Sequence, residues 1–539
     1  MRVLSTMVAL CIALSACSRV GPASAGKRHA WTVPRVLRIA DVAEPDSLNP
    51  YLSQMDVSYA VTSLVYSYLI VADDRGQLIG DLATEVPTLA NGGISRDGLT
   101  YTYHLRHGVR WQDGLPFTSA DVAASWRAVV DPTHLTLFRN GYDRVASVAT
   151  PDAYTFVAHL RERYPPFVTQ FFAPLQEGGK PILAAHVLNA LRDFNHGRLS
   201  RTAIGTGPFK LVAWKHGEGL TFVRNDDYFK GRPRLERIEY RVIPDPQTMM
   251  TELRLHQIDL IETPVGALYN VLKTFGDETL RLGPYNAQSL VAVNDARPGL
   301  RDVAVRRALS LAIDRNALIA TATHGSGEPA RDVVAATAVG YVARAAVPYD
   351  PRAAIALLDR NGWKLGRDGI RRKNDVALDY TIATLAGSPT FAALGVELQQ
   401  YFKAIGVRLS IKPYPYNGFF APDGPLLGGR YDLAIYGTAL SWDPDAHVYY
   451  GCNQQYPRGQ NAFGYCNHEF DALEARALTT EDPKVRASLY QRADGILWND
   501  AVYLPLYNLR RIIVHNPDLK NYRPNATATP WWNAWQWDI

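Results

Sequence analysis

The chain has 539 residues, 47% of them hydrophobic and 20% charged, with 57 basic and 52 acidic side chains giving a formal net charge of +5. That length exceeds what one hydrophobic core fills, so two or three domains are expected. The two signs of charge are mixed along the chain without long runs, which excludes a polybasic arm for nucleic acid.

Taken from its start, the chain opens with Arg2 and the apolar stretch Val3 to Leu14. At 1.5 Å per residue this stretch is too short for a bilayer core of about 30 Å, and it suits the apolar region of an export signal. Leu14-Ser15-Ala16-Cys17 resembles a bacterial lipobox, which implies cleavage after residue 16 and a diacylglycerol on Cys17. Residues 1–16 then form a signal peptide and 17–30 a tether, leaving an exported protein anchored to a membrane by lipid. With Cys11 and Cys17 assigned to the leader and anchor, Cys452 and Cys466 remain, and an oxidising compartment favours a disulfide between them. A metal site is the alternative, but structural zinc takes four ligands and only His447 and His468 lie near.

The next elements follow in order. Val36 to Ala40 reads as a strand, followed by the loop Pro45-Asp46-Ser47-Leu48-Asn49-Pro50. Thr100 to Leu105 alternates as a strand does, and Asp113-Gly114 is a turn. Thr118-Ser119-Ala120-Asp121 is a capping-box start for a helix carrying Val122, Trp126, Val129 and Val130. Val303 to Arg315 reads as one long helix with an apolar stripe at 305, 308, 309, 312 and 313. Asp350-Pro351 starts another, in which Leu357 and Leu358 are expected to carry most of the buried face, with Gly362 as its C-terminal cap.

These blocks, with Asp81 to Pro87, Gly108 to Val122, Thr206 to Leu211 and Arg224 to Phe229, resemble in sequence and order the peptide- and nickel-binding solute receptors. These are family 5 of the extracytoplasmic solute-binding proteins of ABC importers, and Gly108 to Val122 is the most specific block. The resemblance covers about residues 36 to 515. It implies an α/β, two-lobed periplasmic-binding-protein fold (a Venus-flytrap) with an extra α/β domain on the first lobe. Lobe I would take 31–57, 201–283 and 505–539, the inserted domain 58–200, and lobe II 284–504. It implies a monomeric, non-enzymatic receptor without a cofactor that closes on a peptide or peptide-like solute and delivers it to permease and ATPase subunits. A non-peptide solute (oligosaccharide, haem or metal chelate) is the alternative.

Motifs for other chemistry fail on their residues. Gly205-Thr206-Gly207-Pro208-Phe209-Lys210 lacks a full phosphate-loop pattern, and Pro208 removes a backbone donor, so a structural turn is expected. His104 and His107 point to opposite faces of a strand and do not share a metal. No Gly-x-Ser-x-Gly elbow or His-Glu-x-x-His helix occurs.

The resemblance implies that Tyr431 to Asp445 borders the ligand cleft. In peptide-binding relatives, an acidic residue three positions before the acidic-Pro pair holds the peptide ammonium; here that position is Leu440. Asp443 or Asp445 takes over from a shifted position, or the ligand lacks that amine; the Asp443-Pro444-Asp445 turn also reads as a helix cap. Tyr436, Ser441 and Trp442 are further candidates on this stretch, with the two rings placed to stack on a ligand. Glu44, Tyr507 and Asn508 are candidates on the first lobe. The run Trp531-Trp532-Asn533-Ala534-Trp535-Gln536-Trp537 is expected as an edge strand, with a stacking platform as the alternative.

Overall fold

The computed structural model describes residues 28–539 except 54, 138, 176–178, 264 and 528; the signal segment, Cys17 and most of the tether fall outside the described residues. Two large sheets organise the chain. The first has seven strands in the order Thr279–Gly283, Arg511–His515, Leu260–Thr263, Val36–Asp41, Arg237–Val242, Gly219–Arg224 and Phe209–Lys215. Val36–Asp41 runs parallel to both neighbours, with Ile39 opposite Leu260 on one side and Tyr240 on the other. The helix Pro246–Arg254 carries the chain between two of these parallel strands. Its Met250 and Leu253 bury against Ala40, Ile261, Ile512 and Val514 of the sheet.

The second sheet has six strands, ordered Glu328–Pro329, Tyr503–Asn508, Ala287–Val293, Leu433–Ala439, Asp379–Leu385 and Arg408–Tyr414. Ala287–Val293 is buried at every position, because strands flank both its edges and packed side chains cover both its faces. Tyr503–Asn508 belongs here, with Pro505 opposite Leu290. The chain therefore re-enters the first sheet after Asn508, later than residue 505.

The helical part of this half departs from expectation at two points. The stretch read as one helix is two, Val303–Leu311 and Arg315–Ala322, because Asp314 turns out of the first and accepts a hydrogen bond from Ala317 N at 3.0 Å as the cap of the second. In Pro351–Arg360, capped by Asp350 on Ala353 N, Ala354 and Leu358 are fully buried while Leu357 stays half-buried. The small Ala354 lets this helix close on Val303–Leu311, and that contact takes the burial assigned to Leu357.

Residues between the first strand and Phe209 build a smaller body with the three-stranded sheet Thr100–His104, Thr155–Leu160 and Val145–Asp152. The helix Ser119–Val130 starts at the expected capping box, Thr118 N donating to Asp121 Oδ2 at 2.8 Å. The Gly205 to Lys210 turn is structural: Gly207 N donates to Val65 O at 2.7 Å, and a Cβ at Gly205 would stand 1.9 Å from that same oxygen.

The chain passes between the large sheets twice, after Gly283 and after Asn508. The two passages are tied together. Leu509 N donates to Ala287 O at 2.8 Å, and Arg510 donates to Gly283 O at 3.0 Å and Leu282 O at 3.2 Å.

Candidate ligand cleft

A cavity of ≈ 140 Å³ lies where the chain passes between the two sheets. That is about the room of one benzene-sized group, so the enclosed part of any ligand is small. In open α/β sheets the ends of parallel strands leave such a crevice. Here Asp41 ends one parallel strand, Glu262 and Thr263 end its neighbour, and Tyr240 sits near the end of the third. Arg511 enters from the antiparallel strand beside Glu262. Asp56 stands in the first turn of the helix Asp56–Ser63, where a carboxylate is favoured by the helix dipole. The second sheet supplies Asn286, Ala439 and Leu440, and Tyr285 lies on the passage itself.

Polar contacts fix this wall. Arg511 donates to Glu262 Oε2 at 2.7 Å, with both side chains almost buried. Burial opposes the Arg511 charge, and Glu262 more than offsets it, holding the guanidinium above its ordinary range. Glu262 Oε1 accepts from Trp531 Nε1 at 2.9 Å and from the Tyr522 hydroxyl. Tyr285 donates to Asp56 Oδ2 at 3.0 Å while Arg511 lies 5.1 Å from the centre of its ring. Burial pushes the Asp41 carboxyl above the ordinary carboxylate range.

Of the residues expected at the cleft, Leu440 lines the cavity, its backbone N held by Asn286 O at 2.8 Å. The other candidates do not line it. Glu44 is spent inside the first lobe, accepting from Trp214 Nε1 at 2.7 Å, His216 Nδ1 at 2.9 Å and Gly217 N at 3.2 Å. Burial would raise its carboxyl, but these donors outweigh it and hold it low. Asp443 is buried against Arg486 at 2.7 Å, so it is not free to replace the missing acid. Asp445 turns toward His447 N at 3.2 Å, and burial raises its carboxyl. Tyr436 packs against Phe419 and Phe420, Tyr507 is in the core, and Asn508 accepts from Gln288 Nε2 at 2.9 Å. Ser441 is half-buried beside the cavity-lining Leu440. Trp442 is buried in the core shared with the smaller body, not open for stacking.

The tryptophan run is not an edge strand. It is a chain of turns with one 3-10 turn at Ala534–Gln536, in which Trp537 is fully buried and Trp531 lines the cavity. Cys452 and Cys466 are bonded to each other, which removes both thiols from the zinc alternative. Asp41, Asp56, Glu262 and Arg511 escaped the reading by motif. For Asp41 and Glu262 the available signal was their position at the ends of apolar strand runs; Arg511 carries none.

Residues 77–459 match the family of bacterial extracellular solute-binding proteins, family 5 (the middle region). The chain belongs to that family. Among its relatives, oligopeptide-binding protein AppA of Bacillus subtilis (strain 168) is 26% identical over 548 residues, covering 98% of each chain. The nickel-binding periplasmic protein of Escherichia coli (strain K12) is 28% identical over 500 residues, covering 90% of this chain and 91% of its own. Among solved structures, NikZ from Campylobacter jejuni in complex with Ni(L-His) superposes with a TM-score of 0.75 at 25% identity, over 94% of this chain and 100% of that one. CtaP from Listeria monocytogenes shares the fold, with a TM-score of 0.80 at 24% identity, over 93% of this chain and 98% of its own.

This family 5 protein is thus an extracytoplasmic solute-binding component of an ABC importer, not an enzyme, with the two-lobed α/β fold. Among the described residues no helix is long and apolar enough to cross a membrane.

Proposed function

We propose that this protein captures a short peptide or peptide-like solute in the cavity between its two lobes, and that closure of the lobes on the solute is what the importer reads. The observation that carries the reading is the position of the cavity. Its lining comes from the ends of both large sheets and from the passages joining them, so a bound solute touches parts that move apart when the lobes open. A ligand that bridges both walls favours the closed state by its differential affinity for it.

The lobes are 31–57, 201–283 and 509–539 on one side and 284–508 on the other, with 58–200 inserted; sheet membership supports both crossing points. The mature chain begins at Cys17 and is held to the membrane by its lipid, through a tether reaching residue 30, and it works as a monomer. The names of its relatives, one for an oligopeptide and one for nickel, support a peptide or a chelate as ligand. The peptide-like reading is preferred because an extended backbone offers its hydrogen bonds to the strand ends that form the walls. Small-angle scattering of the mature protein with and without a peptide mixture tests closure: compaction on binding is expected, and an unchanged radius of gyration contradicts it.

A further inference from the structure

The charge of the cavity wall lies on one side. Asp41, Asp56 and Glu262 face the space from the first lobe and its adjoining helix, and Arg511 is the one basic residue among the lining side chains. Glu262 neutralises Arg511 at 2.7 Å. Asp41 and Asp56 remain, and neither forms an ion pair with a basic side chain among the described residues: Asp41 accepts from Ala43 N at 3.0 Å and Asp56 from the Tyr285 hydroxyl at 3.0 Å. The opposite wall of Asn286, Ala439 and Leu440 carries no charge. Around the carboxylates stand the rings of Tyr240, Tyr285 and Trp531.

Carboxylates beside aromatic faces in a half-open cleft suit an organic cation, since carboxylate and ring quadrupole both attract it. The same groups oppose an anion. Asp41 is half-buried, so a cation beside it offsets the cost of holding that carboxylate away from water, while the exposed Asp56 adds a screened attraction. A bare metal ion is a poor match. Among the described residues, the one triad of His, Cys, Asp or Glu with ligand atoms within 4.8 Å of one another is Cys452, Cys466 and His468, and both cysteines there are bonded.

We infer that the solute carries a primary ammonium or guanidinium group that seats against Asp41 and Asp56 on the first lobe, with its uncharged part against Leu440 on the second. This rests on the receptor reading above and adds the ligand's charge and orientation. The acid missing at Leu440 is thereby replaced across the cleft, not along the same strand.

The test is calorimetry and thermal shift on the full mature protein with putrescine, agmatine, Ala-Ala, N-acetyl-Ala-Ala and succinate, alongside a general solute library sorted by charge at neutral pH. The solutes that bind are expected to be cation-bearing, and acylating the amine of a binder should abolish its binding to the unaltered protein. Asp41→Asn should weaken a binder by about 30-fold or more, and Asp56→Asn, at an exposed carboxylate, by only a few-fold. Equal or tighter binding of neutral or anionic solutes overturns the inference and leaves the receptor reading standing. Binding of no solute of any charge overturns both.

Discussion

Trp442 of the second lobe lies against Gly76 in a turn of the inserted domain, so closely that a Cβ on Gly76 would stand 3.0 Å from the indole Cζ3. Gly76 has φ +76°, which a side chain would also strain. The indole thus joins a hydrophobic core contributed mainly by the other half of the molecule. The contact joins the second lobe to the inserted domain, so its loss is expected to let the two stand further apart. Trp442→Ala removes a buried indole whose loss typically costs about 3–5 kcal/mol. The ligand-free variant is expected to have a larger radius of gyration than the unaltered protein; identical scattering curves would contradict the latch.

Behind that indole, Arg486 donates to both oxygens of Asp443 at 2.8 and 2.7 Å, out of water. Removing one partner leaves a buried charge and costs about 3–5 kcal/mol, whereas replacing both with apolar groups is often close to neutral. In thermal melts, Arg486→Met is therefore expected to be markedly less stable than the double variant Asp443→Leu/Arg486→Met. A double variant as unstable as the sum of the two singles would show that the pair does not act as a unit.

The second lobe also buries Glu474 and Asp494, and burial raises both carboxyls well above their ordinary range. Among the described residues, neither oxygen of Asp494 has a hydrogen-bond partner. The folded state keeps these protons at pH values where the unfolded chain has lost them. Stability therefore falls as pH rises from the ordinary carboxylate range, about 4, toward the raised values. Glu474→Gln and Asp494→Asn should melt higher than the unaltered protein at neutral pH, decline less between mildly acidic and neutral pH, and converge with it near pH ~4. Lower melting temperatures at neutral pH would show that the charged forms are needed.

The Cys452–Cys466 bond closes a loop with a sequence separation of 14. In the chain-entropy account such a loop contributes roughly 3 kcal/mol. Cys452→Ser/Cys466→Ser is expected to melt at a lower temperature than the oxidised protein and to match the reduced one. No change on reduction would place the loop's stability in its own packing.

Much of the fold was legible because it is written in local chemistry. The Thr118 capping box, the Asp350 cap and the strand from Val36 depend on neighbours in sequence, and each lies where the residues place it. The break at Asp314 was equally local, but an unbroken apolar stripe masked the cap. The cleft was legible only in part. Leu440 was found through its place beside the Asp443-Pro444 pair, whereas Asp41, Glu262 and Arg511 meet through strand pairing between segments more than 200 residues apart. Asp443 misled because its partner Arg486 lies on a later helix, and sequence alone does not distinguish a free acid from a paired one. The tryptophan run alternates like a strand, yet its indole N–H groups take separate partners in Glu262, Arg523 and Asn533, which turns the chain instead of extending it.

Capture of a solute between the lobes is tested by native mass spectrometry of the mature protein purified from its host without unfolding, with Ala439→Trp, which places an indole at the cavity from the second lobe, run beside it. A small organic adduct on the unaltered protein, released on unfolding and absent from Ala439→Trp, is the predicted result. No adduct under any solute supplied, or an adduct that persists when the cavity is filled, would contradict capture between the lobes.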